Sequence, residues 1–491
     1  KEPVPFTEAV VDGLAPGGGL FVPEVVPSLT VEEICALAEL PYAQRAARIY
    51  QAFNVDLTDE QLQRITSEAY GDNFDTPEIC PITSLDNDIH MLELWHGPTC
   101  AFKDMALQLL PYLLTGAAKR ELGGKQSVIL VATSGDTGKA ALEGFKDVEG
   151  TKILVFFPDK GVSPMQKLQM TTQEGNNVGV SAIEGNFDDA QTGVKAIFTD
   201  AGVKAKLEKN NMSFSSANSI NWGRLVPQIV YYFSAYADLI KQGVIKNGDK
   251  VNFTVPTGNF GDILAGYYAK KMGLPVKHFI CASNSNNVLS DFINTGVYDK
   301  NRVLNKTVSP SMDILVSSNL ERLLFDLTEN DAAQVAEWMK QLNTEGTYQV
   351  SKDVADRVRE MFFGVWIDEQ ETIDTIGRVH NDFEYLIDPH TAVAWRAAEK
   401  YRLLSSDDSY IVVLSTASPY KFCATVLEGI GKAGGLDEAD PFAAAHKLAE
   451  ETETLIPPQV TALETMLILH KNVIAAGEMA QNIKETLGIK G

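Results

Sequence analysis

The 491-residue sequence predicts an α/β protein built on open, mostly parallel sheet, and three observations carry that expectation. Short apolar, β-branched runs stand at S-V-I-L-V-A-T (127–133), T-K-I-L-V-F-F (151–157), V-N-F-T-V-P (251–256), V-K-H-F-I-C (276–281) and Y-I-V-V-L-S (410–415). Helical patterns of 10–18 residues separate several of them, the alternation that builds parallel sheet with crossover helices. Several runs lead straight into loops rich in Gly, Ser and Thr. Ligands on such sheets sit at the carboxyl ends of strands, so those loops are where chemistry is expected.

In chain order, residues 1–80 read as mainly helical after a Gly/Pro turn at A-P-G-G-G-L-F-V-P (15–23). Polar starts there precede apolar positions at helical spacing over 30–40 and 58–70. The strand–helix texture begins near residue 90. Segment 321–385 carries 15 acidic and 6 basic residues and no strand-like run, which predicts a helical insertion with a solvated acidic face. The last fifty residues again read as helical, and as acidic at 437–453. No internal repeat or low-complexity tract interrupts this order.

At about 150 residues per domain the chain has room for two or three domains, and a core that needs neither disulfide nor structural metal. Its 42 Lys+Arg against 65 Asp+Glu leave a net charge of −23. Nucleic acid and anionic membrane would repel that charge, so neither is an expected partner. A small anion responds only to the local field. The five cysteines (Cys35, Cys80, Cys100, Cys281, Cys423) are odd in number and form no C-x-x-C pair, the pattern of a reducing compartment. The seven histidines offer no H-E-x-x-H and no zinc spacing, so no metal site is expected. No apolar run approaches the ~18 residues of a membrane span. The start, K-E-P-V-P-F-T-E, has no signal-peptide core and no initiator Met, which fits a short leader upstream. A cytoplasmic enzyme is the expectation. No motif speaks to oligomeric state.

Five loops concentrate chemistry. T-S-G-D-T-G (133–138) and P-T-G-N-F-G-D (256–262) each follow a strand and open a helix, where small residues let backbone N–H groups face an anion. An ordinary turn with a Ser, Asp or Thr cap explains either loop equally well. Neither is a Walker A loop or a G-x-G-x-x-G fingerprint. In H-G-P-T-C-A-F-K-D-M-A-L-Q (96–108), Lys103 stands among apolar residues whose desolvation depresses an amine pKa and suits a Schiff base. Its plain alternative is a lysine that snorkels to water. N-S-I-N-W-G-R (218–224) gathers Asn218, Ser219, Asn221 and Arg224 at a helix start, and S-T-A-S-P-Y-K-F (415–422) places Thr416 and Ser418 after the last strand; capping explains both as well. Together the five loops would hold an aromatic aldehyde phosphate on a lysine beside a second anion. Pyridoxal phosphate has that chemistry.

These five motifs, with S-P-S-M-D-I-L-V-S-S-N-L-E-R-L (309–323) and G-L-A-P-G-G-G-L-F-V-P-E (13–24), resemble the threonine synthase family in its bacterial and fungal form. They run in the family's order from about residue 6 to 425. The resemblance implies a fold-type II pyridoxal-phosphate enzyme of the tryptophan synthase β-like group, with two open, mostly parallel twisted-sheet domains. The larger would comprise 81–103 and 216–430, with the helical insertion at about 321–385. The smaller would comprise 104–215, between a helical region 1–80 and a C-terminal helical region 431–491. Lys103 then matches the Schiff-base lysine. Gly258, Asn259, Phe260, Gly261 and Asp262 match the loop around the cofactor phosphate, and Thr416 matches the hydroxyl facing the pyridine nitrogen. Ser134, Thr137, Ser163, Asn218 and Arg224 would bind the substrate phosphate, with Lys160 a further candidate. Asp136 stands where other relatives carry Asn, so the partner of the cofactor's 3′-oxygen is left open.

The implied reaction, the last of threonine biosynthesis, converts O-phospho-L-homoserine and water into L-threonine and phosphate. Its rivals are an amino-acid dehydratase or β-replacement enzyme of the same fold, and a non-catalytic pyridoxal-phosphate-binding relative. The charge divides in a way that suits the first reading. Residues 96–175 carry a net +1 and residues 201–280 a net +6, so the other 331 residues hold −30.

Overall fold

The structure is a computed structural model that describes residues 2–489 apart from 16, 87, 122–123 and 436–439. Residue 16 of the opening turn and the first residues of the acidic stretch expected at 437–453 lie outside the described residues.

Two sheets carry the molecule. The larger runs in the order β1 (Ile82–Ser84), β2 (Ile89–Glu93), β12 (Ile411–Ser415), β7 (Val251–Pro256), β8 (Val276–Ser283), β11 (Phe362–Trp366). All its neighbours are parallel except β1 and β2. The smaller runs β13 (Val473–Ala475), β5 (Val178–Glu184), β4 (Thr151–Pro158), β3 (Gln126–Ala132), β6 (Met212–Ser215) and is parallel throughout. A short antiparallel pair joins β9 (Val297–Asp299) to β10 (Thr347–Gln349). β7 and β12 are buried at every residue; β12 accordingly reads as a nearly continuous apolar run, whereas β7 alternates and buries Asn252 and Thr254 along with its apolar residues.

The five runs singled out in the sequence are β3, β4, β7, β8 and β12. The N-terminal region is helical as expected, and Thr30 and Thr58 each close a capping box on helices Val31–Ala36 and Asp59–Ala69. Helix Trp222–Lys241 is apolar on nearly every face because it is packed on nearly every face, against helices Tyr42–Ala52, Asp104–Leu107 and Gly261–Lys271.

Segment 321–385 corrects one expectation: it is not free of strands. F-F-G-V-W forms β11, the outer strand of the larger sheet, in parallel register with β8 from Phe362↔Phe279 to Trp366↔Ser283, and T-Y-Q forms β10. Helix Lys352–Met361 runs into Phe362 without a turn, so no Gly or Pro marks the change. The C-terminal helical region likewise supplies β13, a three-residue edge strand on β5.

Candidate active site

Loops at the carboxyl ends of strands from both sheets converge on Lys103. The segment after β2 reaches it through Gly97, where a Cβ would lie 2.5 Å from the Asp104 carboxylate. That closeness lets Asp104 accept from Thr99 N and Thr99 Oγ1, both at 2.8 Å, and so shapes the turn before the lysine. Cys100 takes a positive φ of 57° in the same turn. Phe102 N donates to Thr416 O at 2.8 Å, which ties this segment to the end of β12.

The Lys103 ammonium lies 3.9 Å from the Phe102 ring centroid. Four other loops each place one charged group around it: Arg224, Asp262, Asp136 and Lys421. Burial lowers the Lys103 pKa, Arg224 and Lys421 add to the fall, and Asp262 and Asp136 oppose it, leaving the amine at about 8. Burial raises Asp262 to about 6, an effect the Lys103 charge reduces. Burial lowers Arg224 to about 10.

Arg224 is 2% exposed, and Nη1 donates to Ala217 O at 2.9 Å, while Nε is buried without a partner among the described residues. A buried guanidinium with an unmet donor suits an anion.

The loop after β7 carries a second set of unpaired donors. Phe260 holds φ 64°, a left-handed residue ahead of helix Gly261–Lys271. Among the described residues the amides of Gly258, Asn259, Phe260 and Gly261 meet no acceptor, and successive free amides around a left-handed residue suit an anion. The loop is braced from outside: Ser317 Oγ donates to Gly258 O at 2.9 Å and Asn319 Nδ2 to Asn259 O at 3.1 Å. Asn259 itself is exposed.

The loop after β3 combines both readings of T-S-G-D-T-G. Thr133 Oγ1 caps the helix, accepting from Gly135 N at 3.0 Å and Gly138 N at 2.9 Å. The amides of Ser134, Asp136 and Thr137 meet no acceptor among the described residues. Ser163, after β4, accepts from Gln166 N in the capping box of helix Pro164–Thr171. Asn218 is half-buried and its carbonyl accepts from Asn221 N at 3.1 Å. Thr416 is buried at the end of β12, and Ser418 caps the turn Pro419–Lys421. Lys160 is exposed.

Sequence reasoning missed Lys421. The S-T-A-S-P-Y-K-F motif contains it, but a lysine two residues past Pro419 reads as a surface residue. It is 1% exposed, with Nζ 2.6 Å from Asp136 Oδ1 and 2.9 Å from Thr99 O. Also unforeseen is the buried pair Asp388–His390, whose Nε2 accepts from Ser311 N at 3.1 Å. A cavity of about 450 Å³ behind helix Pro164–Thr171, walled by Phe157, Leu168, Val180 and Ile468, holds none of the Lys103 cluster. Electrostatics rather than cavity size marks the site.

An amine near pKa 8, a run of unpaired amides, a buried hydroxyl and a buried guanidinium fit an aldehyde phosphate and a second anion. The chain matches three family models: "Threonine synthase N terminus" over 1–70, "Pyridoxal-phosphate dependent enzyme" over 83–417, and "Threonine synthase, C-terminal" over 391–467. It is 42% identical to a threonine synthase of Pseudomonas aeruginosa, covering 95% of this chain and 96% of that one. It is 41% identical to threonine synthase-like 1 of Pongo abelii over 87% of this chain, yet spans only 58% of that protein's length. Among solved structures it resembles pyridoxal-phosphate-bound threonine synthase from Brucella melitensis, with TM-score 0.86, 36% identity and 98% and 97% of the chains covered. The yeast threonine synthase structure matches with TM-score 0.87, 33% identity and coverage of 98% and 96%.

The fold and the family match therefore place the chain in the fold-type II class of pyridoxal-phosphate-dependent enzymes. Within that class, the chain belongs to the threonine synthase family.

Proposed function

We propose that the chain converts O-phospho-L-homoserine and water into L-threonine and phosphate, with Lys103 as the catalytic amine. Bound pyridoxal phosphate would supply an electron sink for charge developing at the substrate carbons. Lys103 would hold the cofactor aldehyde and, once displaced by the substrate amine, move protons at Cα and Cβ. A pKa of about 8 suits one amine to both acid and base roles near neutral pH. The amides of Gly258, Asn259, Phe260 and Gly261 would bind the cofactor phosphate, with Asp262 behind them and the Thr416 hydroxyl at the pyridine nitrogen.

Arg224 would bind the substrate phosphate, joined by Ser134, Thr137, Asn218 and the hydroxyl proton of Ser163, whose oxygen already accepts from Gln166. The unmet donor of buried Arg224, whose charge acts on Lys103, is the observation that favours this substrate over a dehydratase's, which carries no phosphate. The expected units are 81–103 with 216–430, and 104–215, flanked by 1–80 and 431–491. The five free cysteines support a reducing, cytoplasmic setting.

Phosphate and threonine released from O-phosphohomoserine test the reading. Arg224→Ala should raise KM for that substrate at least about tenfold, since charge-assisted bonds are the strong ones. Unchanged KM and kcat would remove Arg224 from the phosphate site.

A further inference from the structure

The Lys421 ammonium joins three loops from two sheets. It comes from the loop after β12, pairs at 2.6 Å with Asp136 in the loop after β3, and donates at 2.9 Å to Thr99 O in the segment after β2. The side chains of Lys421 and Asp136 are 0% and 6% exposed. Thr99 is in turn locked to Asp104, the residue after Lys103, by two 2.8 Å bonds. Helix Pro164–Thr171 braces the same junction with one face: Gln166 Nε2 donates to Asp136 Oδ1 at 2.9 Å, and Gln169 Nε2 to Thr99 O at 3.4 Å.

We infer that Lys421 and Asp136 are positioning residues, a buried latch that fixes the smaller sheet's first loop against the backbone presenting Lys103 and sets the charge around that amine. The direction of each effect follows from sign. The Lys421 cation disfavours a proton on Lys103, and the Asp136 anion favours one. Burial pushes the Asp136 carboxyl up, but the Lys421 ammonium, with the Gln166 hydrogen bond and His390, outweighs it and holds the group at about 2. The other charges facing Lys103, Arg224 and Asp262, remain in every variant below.

The inference rests on Lys103 being the reacting amine, but its test does not depend on turnover. Reductive methylation of the apoprotein at a series of pH values, read at the Lys103 peptide by mass spectrometry, gives the amine's titration midpoint. Lys421→Met should raise the midpoint by roughly one pH unit and Asp136→Asn should lower it by a similar amount. The double variant should return towards wild type, because the two charges leave together. Affinity of the apoprotein for pyridoxal phosphate, followed by absorbance, should fall at least about tenfold in Lys421→Met and recover in part in the double variant. A structural role alone would lower thermal stability and leave the midpoint fixed. Midpoints unmoved in Asp136→Asn and in the folded double variant would overturn the inference, even if Lys421→Met fails to fold.

Discussion

His96 shows how much of the lysine loop depends on charge. Its ring stacks on Trp95, with Nδ1 2.5 Å from Asp75 and Nε2 2.7 Å from Glu93. Burial alone would lower its pKa, but the two carboxylates outweigh burial and raise it to about 9 from 6.5. The folded chain keeps this proton through a range where the unfolded chain loses it. The contribution is therefore complete below about pH 6.5 and lost as pH rises to about 9. Lys103 acts in the opposite sense between about pH 8 and 10.5, and burial pushes Asp104 up to about 7, but both groups are common to a His96 variant, so the difference between the two proteins over pH 6.5 to 9 reports His96. Across it, the apoprotein's stability advantage over His96→Gln should shrink as pH rises, by chemical denaturation. A constant gap would contradict the assignment. Lys103 and Arg224 were legible in the sequence because each sits in a motif. Lys421 was not, because its role comes from a partner 285 positions away on another sheet.

At the scale of elements, strands flanked by Gly, Pro or small-residue loops could be read directly. β5, V-G-V-S-A-I-E, was hidden by its glycine and its polar residues, and β6, M-S-F-S, by its shortness. β11 and β13 draw their conformation from the neighbour they pair with rather than from local punctuation. The loop 256–262 could be picked out in the sequence as a candidate phosphate cradle, but not the wall that holds it. A Cβ on Gly258 would lie 2.8 Å from the Ser311 carbonyl oxygen, a backbone atom that moves only with its loop. Gly258→Ala should displace the cradle at a cost of about 1–3 kcal/mol. Pyridoxal-phosphate affinity should then drop about tenfold or more, with far-UV circular dichroism unchanged. Wild-type affinity in this variant would contradict the role of the 258–261 amides.

The whole molecule reconciles a net charge of −23 with an anionic ligand by separating the two. The near-neutral 96–175 and basic 201–280 stretches supply the carboxyl ends of β3, β4, β6 and β7, and the fold brings those ends to one place. Asp262 and Asp136 partly balance Lys103, Arg224 and Lys421 there, so the two phosphates of the proposed reaction would meet a positive excess among buried groups. Most of the acidic residues lie outside those two stretches. Such steering weakens with salt, because exposed fields are screened over about 8 Å at physiological ionic strength.

Incubating the pyridoxal-phosphate-loaded chain with O-phospho-L-homoserine and quantifying both products tests the proposed reaction. Stoichiometric release of L-threonine and phosphate is expected, with a rate at least about 100-fold lower in Lys103→Ala. Absence of threonine from the loaded, folded protein, or turnover by Lys103→Ala at the wild-type rate, would contradict it.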